Sequence, residues 1–142
     1  MNTNQLDLDD RLADFFDQET GGGIMLGHMP ENGQVSLLQD PGSAPTGAPY
    51  FNGDQPMSMQ YEILCSTQDY LTARQLLSPI ANAISKISGE TVQSQNGTFT
   101  CDHAEITGFP FNQLVDTSGT MFWITNFVVY IDLIYIDLIR KD

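Results

Sequence analysis

The sequence predicts an α+β fold in which two helices pack on a mixed or antiparallel β-sheet, in the order α-β-β-β-α-β-β. Three observations indicate this class. Apolar residues recur at helical spacing in two segments, they alternate strictly with polar residues in a third, and the most apolar stretch lies near the end of the chain. With 142 residues, 41% of them hydrophobic, residues 1–142 are expected to form one domain.

The first helix is predicted within residues 4–18, capped by Thr3 or Asn4. Its apolar side consists of Leu8, Leu12, Phe15 and Phe16. Three glycines at 21–23 are expected to end it.

Two short strands at 24–29 and 34–39 follow, separated by a segment that contains Asn32-Gly33. Asn-Gly between apolar runs is a signal for a β-hairpin, so we expect these strands to pair with each other. Residues 40–56 hold four prolines, three glycines and the aromatic pair Tyr50-Phe51, which predicts a long loop. Loops of this length are usually either disordered or functional.

A strand with one polar face is predicted from the alternation at 57–65. Asp69 is the expected N-cap of the second helix, which would end at Gly89. Pro79 lies inside this helix and is expected to bend or split it. The apolar stripe nevertheless continues past the proline, through Ala73, Leu77, Ile80, Ile84 and Ile87.

Residues 90–95 and 98–106 read as further β-structure around the turn Asn96-Gly97, although the first piece is short enough to be only a connection. Gly108-Phe109-Pro110-Phe111 is expected to interrupt the second piece. Asp116-Thr117-Ser118-Gly119 is expected to turn the chain into the last strand.

The last strand is predicted over residues 121–139. One face is apolar and suits the core, through Met121, Trp123, Phe127, Val129, Ile131 and Leu133. The other face mixes Phe122, Ile124 and Val128 with Asn126, Tyr130 and Asp132, which indicates a contact surface. A transmembrane helix is disfavoured, because an Asp near the middle of a bilayer costs about 2.5–3.5 kcal/mol. The five residues 130–134 are repeated at 135–139, either by chance or as an extension of the strand that a partner would cover.

The chain is strongly acidic: 18 Asp and Glu against 5 Lys and Arg give a net charge of -13. Sequence-specific binding of nucleic acid is therefore disfavoured, because it depends on cations that neutralise phosphates. Binding to an anionic membrane is disfavoured for the same reason. Two cysteines without regular spacing indicate packed thiols in a reducing compartment, and the first residues lack the features of a signal peptide.

Motifs for catalysis are scarce. The glycines at 21–23 lack the residues of a phosphate-binding loop. His28, Cys101 and His103 form the one hypothetical metal set, since alternation along a strand would place Cys101 and His103 on the same face. A tetrahedral site needs more ligands than this, so we expect buried or structural side chains rather than a site. The sequence predicts no enzyme, no cofactor and no metal.

The order of elements resembles that of the tail terminator proteins of long-tailed phages, including the family of phage minor capsid proteins. The residues that carry the resemblance lie in three stretches that together span most of the chain. They are Met29-Pro30, Val35-Ser36-Leu37-Leu38 and Pro41-Gly42; residues 59–63 followed by 69–73; and Gly108-Phe109-Pro110 through 116–119 into 123–130. Pro79 and the repeated tail depart from the expected pattern.

The resemblance implies a virion protein, made in the host cytoplasm, that forms a ring, typically a hexamer, at the junction of tail and head. Its partners would be further copies of itself, the tail tube protein and a head completion or connector protein. The hypothetical interface consists of Tyr50, Phe51, Phe122, Ile124, Val128 and Tyr130. An acidic wall around a DNA conduit would reduce adsorption of phosphates, so we expect an acidic lumen. The alternative is a small, non-enzymatic module that binds a protein through loop 40–56.

Overall fold

The computed structural model describes residues 5–27, 30–31, 33–67, 69–115 and 121–134, and it gives no side-chain description for 109–115 and 121. Its elements are α1 (Leu8–Thr20), β1 (Ile24–Leu26), β2 (Val35–Gln39), β3 (Ala44–Pro45), β4 (Gln55–Thr67), α2 (Tyr70–Ile84), β5 (Phe99–Val115) and β6 (Met121–Leu133). The α+β class and the element order are confirmed, with one additional short strand, β3.

The strands form one six-stranded sheet in the order β1-β2-β4-β6-β5, and β3 pairs with the N-terminal part of β4. The β4–β6 ladder is antiparallel and extends from the pair Gln55–Leu133 to the pair Thr67–Met121. Since β1 and β2 run parallel and the other pairs are antiparallel, the sheet is mixed.

Both helices contribute to a single core on one face of the sheet. The ring of Phe127 lies 5.8 Å from that of Phe16, edge to face, and 5.5 Å from that of Tyr61, stacked. The Tyr61 hydroxyl donates to Asp9 in α1, and burial, followed by the charge of Asp9, raises the pKa of this tyrosine. The core face of β6 is as predicted, with Trp123, Phe127, Val129 and Ile131 buried. We call the opposite face of the sheet the outer face.

The first helix begins later than predicted. Its N-cap is Asp7 rather than Thr3 or Asn4, and Gly21 ends it in the left-handed conformation. Asp7 is held by the loop before β5: Ser94 Oγ and the Gln95 N–H donate to its two carboxylate oxygens. This tertiary contact, which no local pattern reveals, fixes the start of the helix.

The predicted hairpin of β1 and β2 is wrong. The two strands pair in parallel, with Ile24 opposite Val35. The Ile24 N–H donates to Asp17 Oδ1, so the end of α1 sets the direction of β1. The Gly33 N–H donates to the Ser66 carbonyl, which shows that the turn before β2 guides the chain toward β4.

The second helix is capped by Asp69 as predicted, whose carboxylate accepts from the Leu71 N–H. It continues through Pro79 but ends at Ile84 rather than Gly89. Ile87 is still buried, in the turn that follows. Gly89 has another role: a Cβ there would lie 2.9 Å from the Cys101 carbonyl, so this close approach to β5 requires glycine.

The later part of the chain differs from the prediction in the continuity of its strands. Residues 90–95 form a connection with an isolated bridge at Gln93, as their length allowed. The segment 108–111 does not interrupt β5, because the strand absorbs it through shifts of register. The predicted turn at 116–119 and the second copy of the tail repeat lie outside the described residues. Among the described residues, no helix is both long and apolar enough to cross a membrane.

Candidate interaction surface

Residues 46–54, between β3 and β4, form a loop that we call the arm. The Tyr50 N–H donates to the Asp54 carbonyl, and the Gly53 N–H donates back to the Tyr50 carbonyl, each at 2.9 Å. Asn52 closes the same turn, since its Oδ1 accepts from the Asp54 N–H. The long loop predicted at 40–56 is therefore partly a pair of strands, and its end is an ordered turn.

The two aromatic residues of the arm have different roles. Phe51 is fully exposed at the tip. Tyr50 is half-exposed, and its hydroxyl donates to Asp132 Oδ1 on β6, at 3.3 Å. The charge of Asp132 is the main cause that raises the pKa of Tyr50. Tyr50 thus ties the arm to the sheet, while Phe51 is left free to contact another surface.

His103 lies beside the arm, on the outer face of β5. Its ring stacks on Tyr130 at 4.8 Å, and its nitrogens lie 3.0 Å from Asp102 Oδ2 and 3.2 Å from Glu105 Oε2. The hydrogen bond to Asp102 is the main cause that raises the pKa of this histidine. Asp102, His103 and Tyr130 line a cavity of about 350 Å³ together with Thr46 and Tyr50 of the arm.

The prediction that Cys101 and His103 share a face is wrong. The register of β5 shifts between them, so that Cys101 is opposite Ile131 and His103 is opposite Tyr130. Cys101 therefore points into the core, where burial raises the pKa of its thiol to about 12. His28 lies outside the described residues. Within the described part of the chain, no group of three or more His, Cys, Asp or Glu side chains is arranged to hold a metal.

The outer face of β6 carries the remaining residues of the hypothetical interface. Phe122, Ile124 and Tyr130 are half-buried, and each keeps surface for a partner. Val128 is only 3% exposed, so within a single chain it offers little contact area. In the register it lies between Gln60 of β4 and Glu105 of β5.

The outer face also carries carboxylates. Glu62, Glu105 and Asp132 lie on it by register. Partial burial, and then the charge and hydrogen bond of Asp40, raise the pKa of Glu62 to about 7. Glu62 therefore adds its negative charge to the outer face as the pH rises through about 7.

A groove that the sequence reasoning missed lies at the other end of the sheet, between α2 and β6. It has a volume of about 210 Å³ and is lined by Tyr70, Ala73, Arg74, Leu77 and Trp123. The Tyr70 ring lies 5.5 Å from that of Trp123. Tyr70 is 59% exposed, and the neighbouring Leu71 is 56% exposed.

One sequence signal for this groove was present. Tyr70 continues the apolar stripe of α2 by one turn before Ala73. The pattern alone does not show how far the sheet extends beneath the helix. Among the described residues, Trp123 is the residue of the sheet that lines this groove, and the first turn of α2 keeps exposed surface at Tyr70 and Leu71.

No family model matches the chain, and no curated protein matches it in sequence. A solved structure is similar in fold: a chain in the virion of a native gene transfer agent particle, at 12% identity and a TM-score of 0.55. The similarity covers 82% of this chain and 84% of that one. At this identity it establishes a shared fold.

Proposed function

We propose that the chain is a structural protein of a phage-like particle, and in particular a tail terminator that forms a ring, ends polymerisation of the tail tube and joins tail to head. The observation that carries the proposal is the fold shared with a chain of a gene transfer agent virion, over most of both chains. It agrees with the resemblance found in the sequence motifs. The role requires binding surfaces and no catalysis.

The edge of the sheet supports assembly. β5 is an edge strand of the sheet, and within the described residues its free side is bridged only at Thr100, by Gln93, and at His103, by Ser88. Along the rest of this 17-residue strand, no described strand pairs with the backbone on that side. Long open edges invite pairing with another chain. A neighbouring virion protein, or a second copy, is the proposed cover.

The charge distribution supports a DNA conduit. The outer face carries Glu62, Glu105 and Asp132, and no described helix covers it. An acidic wall repels phosphates and lets DNA pass without adsorbing. We therefore assign the part of the outer face around these carboxylates to the lumen of the ring. A ring whose lumen is basic would contradict this assignment.

A second function, a module that binds one protein partner through the arm, is favoured by the full exposure of Phe51. Deletion of residues 43–54 separates the two proposals. Loss of a one-to-one complex with a partner, in a chain that never forms rings, would support the module.

Electron microscopy of the purified protein, with and without tail tubes, tests the proposed function. Rings, alone or at one end of the tubes, are the expected result. Light scattering after size exclusion gives their mass and so the number of copies. A chain that stays monomeric at high concentration and in the presence of tail tubes would contradict the ring.

A further inference from the structure

We infer that copies of this chain associate head to tail, with Phe51 at the tip of the arm of one copy seated in the Tyr70–Trp123 groove of the next. The inference rests on the proposed function, because it names the contact that would build the ring. It follows from where the two surfaces lie, from their chemistry and from their charge.

The position of the two surfaces prevents contact within one chain. The arm joins β4 at Gln55, whereas Trp123 is opposite Cys65, ten residues along the same strand. At a rise of about 3.3 Å per residue this is about 33 Å. Phe51 precedes Gln55 by four residues, which span at most about 14 Å. Each chain thus has a projecting aromatic residue at one end and an open groove at the other.

The shapes and chemistry of the two surfaces match. Phe51 is a fully exposed aromatic side chain, and the groove, of about 210 Å³, has room for one aromatic ring between Tyr70 and Leu77. Aromatic residues are the usual anchors of protein interfaces. The indole nitrogen of Trp123 is buried without a hydrogen-bond partner in the described chain. A backbone carbonyl of the incoming arm that reached this nitrogen would satisfy it.

The charges of the two surfaces are opposite. Asp54 is the one carboxylate of the arm, and Asp132 of the adjoining strand β6 accepts from Tyr50, so the tip projects from an acidic surface. Arg74 beside the groove is exposed and makes no ion pair with a described residue, in a chain with a net charge of -13. Docking of the arm would bring this cation against an acidic surface, which favours the correct orientation.

A contact between two different surfaces is heterologous, and it forms a closed ring when the rotation between copies fits. Such a contact predicts a specific result on mixing variants. Phe51→Ala removes the arm anchor and keeps the groove, whereas Arg74→Glu damages the groove and keeps the arm. We expect each variant alone to self-associate at least about tenfold more weakly than the wild type, because each loses part of the central contact.

An equimolar mixture of the two variants has one intact arm and one intact groove per pair. Sedimentation velocity should therefore show dimers of one copy each and nothing larger. Lys86→Glu changes the net charge as Arg74→Glu does, but it lies two residues beyond the C-terminal end of α2, where Lys86 pairs with Glu19 at the surface. Such a surface pair contributes little to stability, so the assembly of this variant should match the wild type. Either test variant assembling as the wild type does, or a mixture that stays monomeric, would overturn the contact.

Crosslinking gives a direct second measurement, because both native cysteines are buried. A chain with Asn52→Cys and a chain with Leu71→Cys should be joined by a short bismaleimide, whereas Asn52→Cys and Lys86→Cys should not. No preference between these pairs would overturn the contact. If the wild type assembles but the variants do so equally, the contact alone is wrong. If the wild type never assembles, even with tail tubes, the proposed function fails with it.

Discussion

The aromatic side chains on the helix-covered face of the sheet and those of the arm differ in how far they are buried. Phe16, Tyr61 and Phe127 are almost completely buried and contact one another through their rings. Phe51 is fully exposed, and Tyr50 is bound to the sheet by a single hydrogen bond to Asp132.

This difference separates stability from association. Aromatic residues in the core stabilise the fold by removing a large apolar area from water. Phe51 adds no comparable stability to a single chain. An exposed aromatic side chain lowers solubility, and this cost is offset if the side chain is buried in a contact with another chain. The comparison therefore predicts that substitutions in the two regions affect different measurements.

The largest effect on stability is expected for Phe127→Ala. The buried ring contacts those of Phe16 and Tyr61, so its removal should cost about 3–5 kcal/mol of unfolding free energy. Urea denaturation followed by circular dichroism measures this loss. Since a domain of this kind is stable by only about 5–15 kcal/mol, Phe127→Leu provides a milder variant that remains folded.

Phe51→Ala is the matched control for the arm. Its unfolding free energy should stay within about 0.5 kcal/mol of the wild-type value, because the side chain is fully exposed. A loss of stability in Phe51→Ala as large as that in Phe127→Ala would mean that the arm belongs to the core.

A smaller effect is expected at Asp7, the N-cap of α1. Its carboxylate accepts from Ser94 Oγ at 2.7 Å, the Gln95 N–H at 2.8 Å and Thr98 Oγ1 at 3.1 Å. Asp7→Ala leaves the Gln95 N–H without this acceptor and leaves the two hydroxyls with Asn96 Oδ1 as acceptor, so it should cost about 2 kcal/mol at neutral pH. Asp10→Ala, which removes an exposed carboxylate of the same helical turn, should have little effect.

The effect at Asp7 should depend on pH. Partial burial opposes ionisation of this carboxyl, but the hydrogen bonds from Ser94, Gln95 and Thr98 outweigh it and lower its pKa below 3.8. A pKa that is lower in the folded state gives stability that is present above the unfolded value and is lost as the pH falls through the folded value. The difference between wild type and Asp7→Ala, measured by urea denaturation, should therefore shrink below pH 3.8. A difference that stays constant down to pH 2 would show that ionisation of Asp7 contributes nothing.

Local patterns predict the elements of this fold better than their pairing. The alternation that includes Tyr61 and Ile63 places β4 correctly, and the carboxylate of Asp69 caps α2 as expected. The hairpin at Asn32-Gly33 is wrong, since the direction of β1 depends on the contact of Ile24 with Asp17 at the end of α1. Such a contact is set by tertiary structure, which the periodicity of one strand does not contain.

The residues of the candidate surface are likewise predicted where local sequence determines them and missed where tertiary structure does. The sequence identifies Tyr50 and Phe51 as exposed aromatic residues because they lie among prolines and glycines. It does not identify the groove at Trp123, which forms only where α2 crosses β6. It also fails at Cys101 and His103, because strict alternation ignores the extra residue by which β5 turns His103 to the outer face.

The smallest effect is expected at Glu62, on the outer face. Partial burial and Asp40 raise the pKa of Glu62 to about 7, above the ordinary value of 4.5. Since the folded chain then holds a proton that the unfolded chain has released, stability should fall as the pH rises from 4.5 to 7. Glu62→Gln should remove this loss.

Urea denaturation of the wild type and Glu62→Gln at pH 4 and pH 8 measures the difference. We expect equal stability at pH 4 and a more stable variant at pH 8, by less than about 1 kcal/mol, because solvent screens a half-exposed carboxylate. Glu90→Gln, which removes an exposed carboxylate elsewhere, serves as the control. Equal stability of wild type and Glu62→Gln at both pH values would show that ionisation of Glu62 does not lower the unfolding free energy. A gain at pH 8 would instead mean that the fold tolerates unfavourable charge there, as an acidic wall facing DNA would require.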